Sequence, residues 1–166
     1  MSHQMNQNDF IALIQENRGI IHKVTHLYCT QEEDKEDLFQ EIVIQLWKSY
    51  GKFRGDAKFS TWMYRIAINT AITSIRKTSR TIRTVSTEVI PVEIQLEQYD
   101  KEKEAQLYQL YTAIKELNEI ERSIVMLYLD DRSYDEMEEI LGINQNNLRV
   151  KMNRIKDKLR KITNNN

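Results

Sequence analysis

The sequence predicts an all-α protein made of two small helical domains joined by a flexible linker. Apolar residues recur at three- and four-residue steps over most of the chain, which is the spacing of amphipathic helices. Only one of the 166 residues is proline, and 30% are charged, a composition that favours helices. A stretch rich in Thr, Ser, Glu and Gln interrupts the helical pattern at residues 78–106.

That stretch sets the predicted domain boundaries. We expect an N-terminal helical domain over residues 1–80, a linker over 81–106 and a C-terminal helix-turn-helix domain over 107–166. Six apolar linker residues could form a short strand, although no second strand is evident to pair with it. They are Val85, Val89, Ile90, Val92, Ile94 and Leu96.

Features of a membrane or secreted protein are missing from the sequence. No run of eighteen apolar residues is present, and the N-terminus lacks the basic-then-apolar order of a secretion signal. Cys29 is the only cysteine, so no intramolecular disulfide can form. We therefore expect a cytoplasmic protein.

The charges are unevenly distributed, although their sum is only −1. Basic residues concentrate in segments 48–80 and 144–161, whereas acidic residues concentrate in segments 32–41 and 130–139. Two basic surfaces separated by acidic ones suggest two contacts with polyanions. Ordinary solvated helix faces are the alternative interpretation.

The first basic segment interleaves positive charges with aromatic rings. Lys52, Arg54 and Lys58 surround Phe53 and Phe59 in a loop with two glycines, and a helix led by Ser60 and Thr61 follows. That helix carries Trp62 and Arg65 near its start, and Arg76 and Lys77 near its end. Such a combination can hold a phosphate backbone while stacking unpaired bases. We interpret it as a grip for single-stranded DNA; burial of the rings in the core is the alternative.

Two other N-terminal patterns are helical. One helix is predicted from Asp9 to Tyr28, with Gly19 as its weak point, and it places His22, His26 and Cys29 on one face. A structural zinc site needs a fourth ligand, so we predict no metal. The next helix turns Asp37, Gln40 and Glu41 outward, opposite an apolar stripe, and should end at Gly51.

The C-terminal segment predicts a helix-turn-helix. Ser133 is placed to cap its first helix, Gly142 to form the turn and Asn144 to cap the last helix. One face of that last helix is apolar, and Asn146, Arg149, Val150, Asn153 and Arg154 point the other way. A helix of this kind enters a major groove, where arginine can bind guanine or phosphate and asparagine can bind adenine. A generic hairpin with a basic exterior is the alternative.

Three blocks of the sequence resemble a known family, the small bacterial RNA polymerase sigma factors of the extracytoplasmic-function type. The blocks are DLFQEIVIQLW, KFRGDAKFSTWMYRIAINTA and LNEIERSIVMLYLDDRSYDEMEEILGINQNNLRVKMNRIKDKL. The first is similar to the helix by which the family binds the clamp of the polymerase β′ subunit. The second is similar to the segment that melts and reads the −10 promoter region, and the third to the domain that reads the −35 region. The resemblance implies a non-catalytic specificity subunit.

The resemblance also implies roles for individual residues. Polymerase binding would involve Asp37, Gln40 and Glu41. Binding of the −10 DNA would involve Lys52, Phe53, Arg54, Lys58, Phe59, Trp62, Arg65, Asn69, Arg76 and Lys77. Binding of the −35 DNA would involve Asn146, Asn147, Arg149, Val150, Lys151, Asn153 and Arg154. Implied partners are core RNA polymerase (β′ clamp and β subunit), promoter DNA and an anti-sigma factor, which is typically membrane-bound in the family. No cofactor and no small-molecule substrate are implied.

The sequence departs from the family at two places. Arg65 and Ile66 stand about where housekeeping members carry a pair of tryptophans, and Val150 stands where many relatives carry serine. An enzyme is a poor alternative, because no Gly-rich phosphate loop, Ser/His/Asp grouping or His–carboxylate metal motif is present. A stand-alone helix-turn-helix regulator with an N-terminal dimerisation or sensor module is the other alternative.

Overall fold

The computed structural model describes residues 6–81 and 101–164, and within these ranges it forms helices and no strands. The predicted short strand and most of the predicted linker lie outside them. The eight helices of the described residues are α1 (Gln7–Glu16), α2 (Arg18–Tyr28), α3 (Glu32–Tyr50), α4 (Phe59–Thr81), α5 (Lys101–Lys115), α6 (Glu119–Leu129), α7 (Tyr134–Leu141) and α8 (Gln145–Asn164). No helix among the described residues is both long and apolar enough to cross a membrane.

The helices group into two compact units, α1–α4 and α5–α8. The prediction of an all-α protein with two helical domains is therefore confirmed. The exact boundaries stay a prediction, although α5 begins at Lys101, within the range predicted as linker.

The first unit is built around α2, α3 and α4, which pack against one another. Their apolar stripes are fully buried at Ile21, Ile42, Leu46, Met63 and Ile68. Each such side chain stabilises the unit by about 1.5–3 kcal/mol relative to an exposed one. The packed stripes fix which faces of α3 and α4 remain exposed.

The structure corrects the prediction of one helix from Asp9 to Tyr28. The helix is interrupted at Asn17, which separates α1 from α2, and Gly19 lies inside the first turn of α2. The Asn17 side-chain amide donates to the Leu13 carbonyl at 2.9 Å, beside the bond from its own backbone N–H at 3.2 Å. An asparagine that bonds the preceding turn in this way offers the backbone an alternative to continuing the helix.

α3 ends at Gly51 as expected, but Gly51 is not the left-handed residue of the loop that follows. Gly51 follows the last residue of α3 but has a φ of −63°, which any residue can adopt. The left-handed turn comes later, at Gly55, whose φ is +79°. This left-handed turn lies between Phe53 and Phe59, whose rings contact each other.

The second unit contains the predicted helix-turn-helix in α7 and α8. The Ser133 hydroxyl accepts from the Glu136 N–H at 3.2 Å, and the Asn144 side chain accepts from the Asn146 N–H at 2.8 Å. Between them, Gly142 has a φ of +69° and donates its N–H to the Glu138 carbonyl at 2.8 Å. The two helices bury Met137, Ile140, Leu148, Met152 and Ile155.

The turn between α6 and α7 is closed by backbone bonds around a left-handed aspartate. Asp131 donates its N–H to the Tyr128 carbonyl at 3.1 Å, and Arg132 donates to the Leu127 carbonyl at 3.0 Å. Asp131 has a φ of +57°, at a position that usually carries glycine. A non-glycine residue there costs about 1 kcal/mol.

Replacing Gly142 with alanine should lower the free energy of unfolding of the second unit by about 1 kcal/mol. A Cβ at this position would meet no atom within 4 Å, so the cost comes from the left-handed backbone alone. Urea denaturation of the full chain, followed by circular dichroism, measures the change.

Gly19→Ala is the matched control for that substitution. Its Cβ also meets nothing within 4 Å, but Gly19 lies in the first turn of α2 with helical geometry. Alanine should therefore stabilise the first unit, by up to about 1 kcal/mol. Equal destabilisation by both substitutions would contradict the role of the left-handed turn.

Candidate nucleic-acid and partner interfaces

The outward face of α3 is polar with an apolar centre. Asp37, Gln40 and Glu41 are all exposed, and Leu38, Ile42 and Leu46 on the opposite side of the helix are buried. Ile44 lies on the exposed face as well, seven residues after Asp37, and 46% of its surface is exposed. The predicted polar residues therefore share a surface with an uncovered isoleucine.

A groove of about 990 Å³ runs between α3 and α4 beside the polar face. Asp34, Asp37 and Glu41 line its α3 side, and Asn69 and Lys77 line its α4 side. Apolar atoms in the groove come from Leu38, Ile66 and Ile75. The groove thus brings together residues predicted to bind polymerase and residues predicted to bind DNA.

Cys29 lies at the end of α2 and also lines this groove. Burial raises the pKa of its thiol to about 11, and the nearby carboxylate of Asp34 contributes in the same direction. Because only the thiolate is nucleophilic, Cys29 should be a poor nucleophile at neutral pH.

Alkylation of Cys29 by iodoacetamide at pH 7.5 should be about 100-fold slower in the folded chain than in the chain unfolded in urea. The native thiolate fraction is smaller because the pKa of the thiol is raised. Mass spectrometry of timed samples measures both rates, with free cysteine in the same buffers as the control for urea. Equal rates in the two states would contradict the raised pKa.

The loop before α4 and the start of α4 bring three predicted aromatic residues together. The ring centroids of Phe53 and Phe59 are 5.6 Å apart, and that of Trp62 is 5.1 Å from Phe53 and 5.2 Å from Phe59. All three rings are half-buried, so each is held by packing and still borders solvent. Lys52, Arg54 and Lys58 are exposed on the same loop.

The cluster of Phe53, Phe59 and Trp62 is extended by contacts with aromatic residues of α1 and α3. Tyr50 lies 6.5 Å from Trp62, and Phe10 contacts both Trp47 at 4.9 Å and Tyr50 at 5.2 Å. The rings of α1 and α3 thereby fix the position of the loop. Sequence spacing could not show this support, because it joins residues from three separate segments.

The exposed side of α4 carries the remaining residues predicted to bind −10 DNA. Arg65, Asn69 and Arg76 lie along one stripe, since they are four and seven residues apart, and Lys77 flanks it. All four are exposed, whereas Met63, Tyr64, Ala67, Ile68 and Ala71 on the other side are buried.

The histidines of α2 bond within their own helix. The His22 ring nitrogen accepts from the Arg18 guanidinium at 3.1 Å, and the His26 ring nitrogen lies 2.7 Å from the His22 carbonyl oxygen. Partial burial lowers the pKa of His22, and the positive charges of Arg18 and His26 lower it further. In the part of the chain that the structure describes, no group of three His, Cys, Asp or Glu could hold a metal.

The last helix, α8, exposes every residue predicted to bind −35 DNA. These residues are Asn146, Asn147, Arg149, Val150, Lys151, Asn153 and Arg154. Val150 is 49% exposed and stands opposite the buried Leu148, Met152 and Ile155. The guanidinium carbon of Arg149 lies 4.9 Å from the ring centre of Tyr134, the first residue of α7.

Comparisons with known proteins match both units. The family model for sigma-70 region 2 matches residues 13–81, and that for sigma-70 region 4 matches residues 107–159. The ECF RNA polymerase sigma factor SigW of Bacillus subtilis is 26% identical over 93% of this chain and 89% of its own length. The chain belongs to the sigma-70 family, in its extracytoplasmic-function (ECF) type.

Two further comparisons match one sigma factor over part of its sequence and another by fold. The RNA polymerase sigma-H factor of Pseudomonas aeruginosa is 43% identical over 53 residues, a match that spans 32% of this chain and only 25% of that protein. The sigma factor RpoE of Bartonella quintana, solved with the anti-sigma factor NepR, superposes with a TM-score of 0.68 at 17% identity. That match covers 94% of each chain, and it shows a shared fold.

Two residues of this sigma factor were not among the predicted site residues. Ile44 could have been found from the sequence, because its spacing places it on the outward face with Asp37 and Glu41. Tyr134 could not, because its contact with Arg149 depends on how α7 and α8 cross.

Proposed function

We propose that this sigma factor binds core RNA polymerase and directs transcription initiation to particular promoters, without catalytic activity of its own. One observation carries the proposal: a single chain holds an exposed basic–aromatic segment in one unit and an exposed basic recognition helix in the other. The first suits separated strands and the second suits a duplex, and initiation requires both.

The exposed face of α3 is the proposed contact for the clamp of the β′ subunit. Asp37, Gln40 and Glu41 supply charge and hydrogen bonds, and Ile44 supplies an apolar contact between them. Apolar anchors within a polar rim are the usual composition of a protein interface. This arrangement favours a basic partner surface with an apolar centre.

The loop before α4 is the proposed reader of the −10 element. A base that leaves the stack costs a few kcal/mol, and an aromatic platform returns about 1–3 kcal/mol per base. Phe59, Phe53 and Trp62 offer such a platform, because their rings are half-buried and mutually fixed. Arg65, Asn69, Arg76 and Lys77 along α4 would then hold the strand's backbone or bases.

The exposed face of α8 is the proposed reader of the −35 element. Arg149 and Arg154 can bind guanine or phosphate, and Asn153 can bind an adenine edge. Val150 is exposed and carries methyl groups in place of the serine hydroxyl of many relatives. Its methyl groups can contact the methyl group of a thymine. Asn146, Asn147 and Lys151 complete the exposed polar surface.

Further proposed partners are the β subunit of polymerase and an anti-sigma factor, membrane-bound or not, and the proposed location is the cytoplasm. RpoE of Bartonella quintana was solved with the anti-sigma factor NepR, and the shared fold supports the same kind of partner here.

Transcription on a genomic DNA library tests the proposed function directly. Core polymerase with this chain should give transcripts whose start sites share two sequence elements, and core polymerase alone should not. Electrophoretic mobility shift of the free chain on the same fragments completes the experiment. Tight binding of the free chain to palindromic sites, with no effect on start sites, would instead identify a stand-alone regulator.

A further inference from the structure

A tyrosine of the first helix in the helix-turn-helix contacts an arginine of the second. The guanidinium carbon of Arg149 lies over the Tyr134 ring, 4.9 Å from its centre. Arg149 is exposed, and Tyr134 is half-buried. A cation over the face of an aromatic ring is attracted by the negative charge of the π system.

The backbone of Tyr134 is anchored at the start of α7. It is the first residue of α7, directly after the capping Ser133, so the N-cap bond fixes its place. The side chains of Gln145 and Asp135 bond to each other across the two helices. Tyr134 thus lies at a capped helix start beside a side-chain bond between the two helices, and Arg149 reaches its ring from the exposed face of α8.

We propose that Tyr134 is a positioning residue that holds Arg149 in the orientation in which it reads −35 DNA. The proposal rests on the proposed function and adds a residue outside the recognition helix. An arginine side chain loses much rotamer freedom when it binds one site, and a stack already formed in the free protein reduces that loss. The ring also leaves the far edge of the planar guanidinium available for bidentate bonds.

The inference predicts a specific pattern for substitutions at Tyr134. Tyr134→Leu should weaken promoter binding by the polymerase complex about two- to five-fold and relax base preference at the position that Arg149 reads. Tyr134→Phe keeps the ring and should keep both properties. In an Arg149→Ala background, Tyr134→Leu should cause no further loss, because the residue it positions is gone.

The measurement uses the full chain with core polymerase on a library in which the −35 region is randomised and the −10 region is fixed. Tyr128→Leu is the matched control, since the Lys156 ammonium lies over the Tyr128 ring in the same unit, 5.0 Å from its centre, and it should leave base preference unchanged. Two results would overturn the inference in favour of a direct contact of Tyr134 with DNA. One is an equal loss of affinity from Tyr134→Leu with and without Arg149. The other is a loss from Tyr134→Phe as large as that from Tyr134→Leu.

A second readout needs no DNA and separates the inference from the proposed function. The side-chain protons of Arg149 in the full chain should show an upfield ring-current shift in the NMR spectrum that disappears in Tyr134→Leu and remains in Tyr134→Phe. If the unsubstituted chain selects no promoter sequence, the proposed function is refuted but the contact between Tyr134 and Arg149 is not. Absence of the shift would refute the stack, whatever the transcription result.

Discussion

Charge reversal at Asp37 and Glu41 together should reduce the affinity of this sigma factor for core polymerase by about 100-fold or more. Both carboxylates are exposed on the α3 face around Ile44. Arginine at both positions would oppose the basic partner surface that the face is proposed to meet, and like charges across an interface cost several kcal/mol. Co-purification with tagged core enzyme, followed by titration, measures the loss.

The fold should survive this double substitution. Neither side chain is buried, so helical content measured by circular dichroism should remain native. The combination of Asp9→Arg and Glu16→Arg makes the same change in net charge on exposed positions of α1 and is the control. Unchanged retention of the Asp37/Glu41 variant on core enzyme would remove the assignment of this face.

Replacing Arg149 with alanine should cost about 1–3 kcal/mol of promoter affinity and relax the preference at one position of the −35 element. Arg149 sits on the exposed face of α8 with its guanidinium already stacked. Alanine would remove the proposed bidentate bond to a base edge on the preferred sequence and would remove no such bond on the others, so discrimination should fall with affinity.

Lys151 provides the comparison for Arg149, because it is exposed on the opposite flank of α8. Lys151→Ala should weaken binding similarly on all sequences and lower its salt dependence, as expected for a phosphate contact. Transcription from a promoter set with single changes in the −35 element distinguishes the two patterns. A uniform loss for Arg149→Ala would assign Arg149 to the phosphate backbone instead.

The second unit could be predicted from sequence because its signals are local. Ser133, Gly142 and Asn144 each act on atoms within four residues, and all three do so as expected. The buried side of α8 follows from the regular spacing of Leu148 and Met152. Local chemistry and helical period were therefore sufficient here.

The first unit shows where sequence reasoning failed and why. Gly19 looked like the weak point of the first helix, but the interruption occurs at Asn17, whose side chain bonds the preceding turn. A weak helix former lowers stability only slightly, whereas a competing hydrogen bond provides another structure. The predicted end of α3 at Gly51 is correct, but the left-handed residue of the loop is Gly55, four residues later.

The candidate sites were predicted as separate stretches, and their physical connections were not. The aromatic rings of Phe10 and Trp47 support the loop before α4 through Tyr50, although they come from other helices. The groove likewise joins α3 to α4. Contacts of this kind depend on tertiary packing, which the local spacing of residues does not encode.

The left-handed aspartate between α6 and α7 has a consequence for how this protein could adapt to heat. Asp131 is exposed and retains a backbone conformation that glycine adopts without strain. For a unit of this size, relief of about 1 kcal/mol corresponds to a melting temperature several degrees higher. A lineage moving to a warmer habitat could therefore gain thermal tolerance at this single codon, without altering any atom of the surface proposed to face DNA.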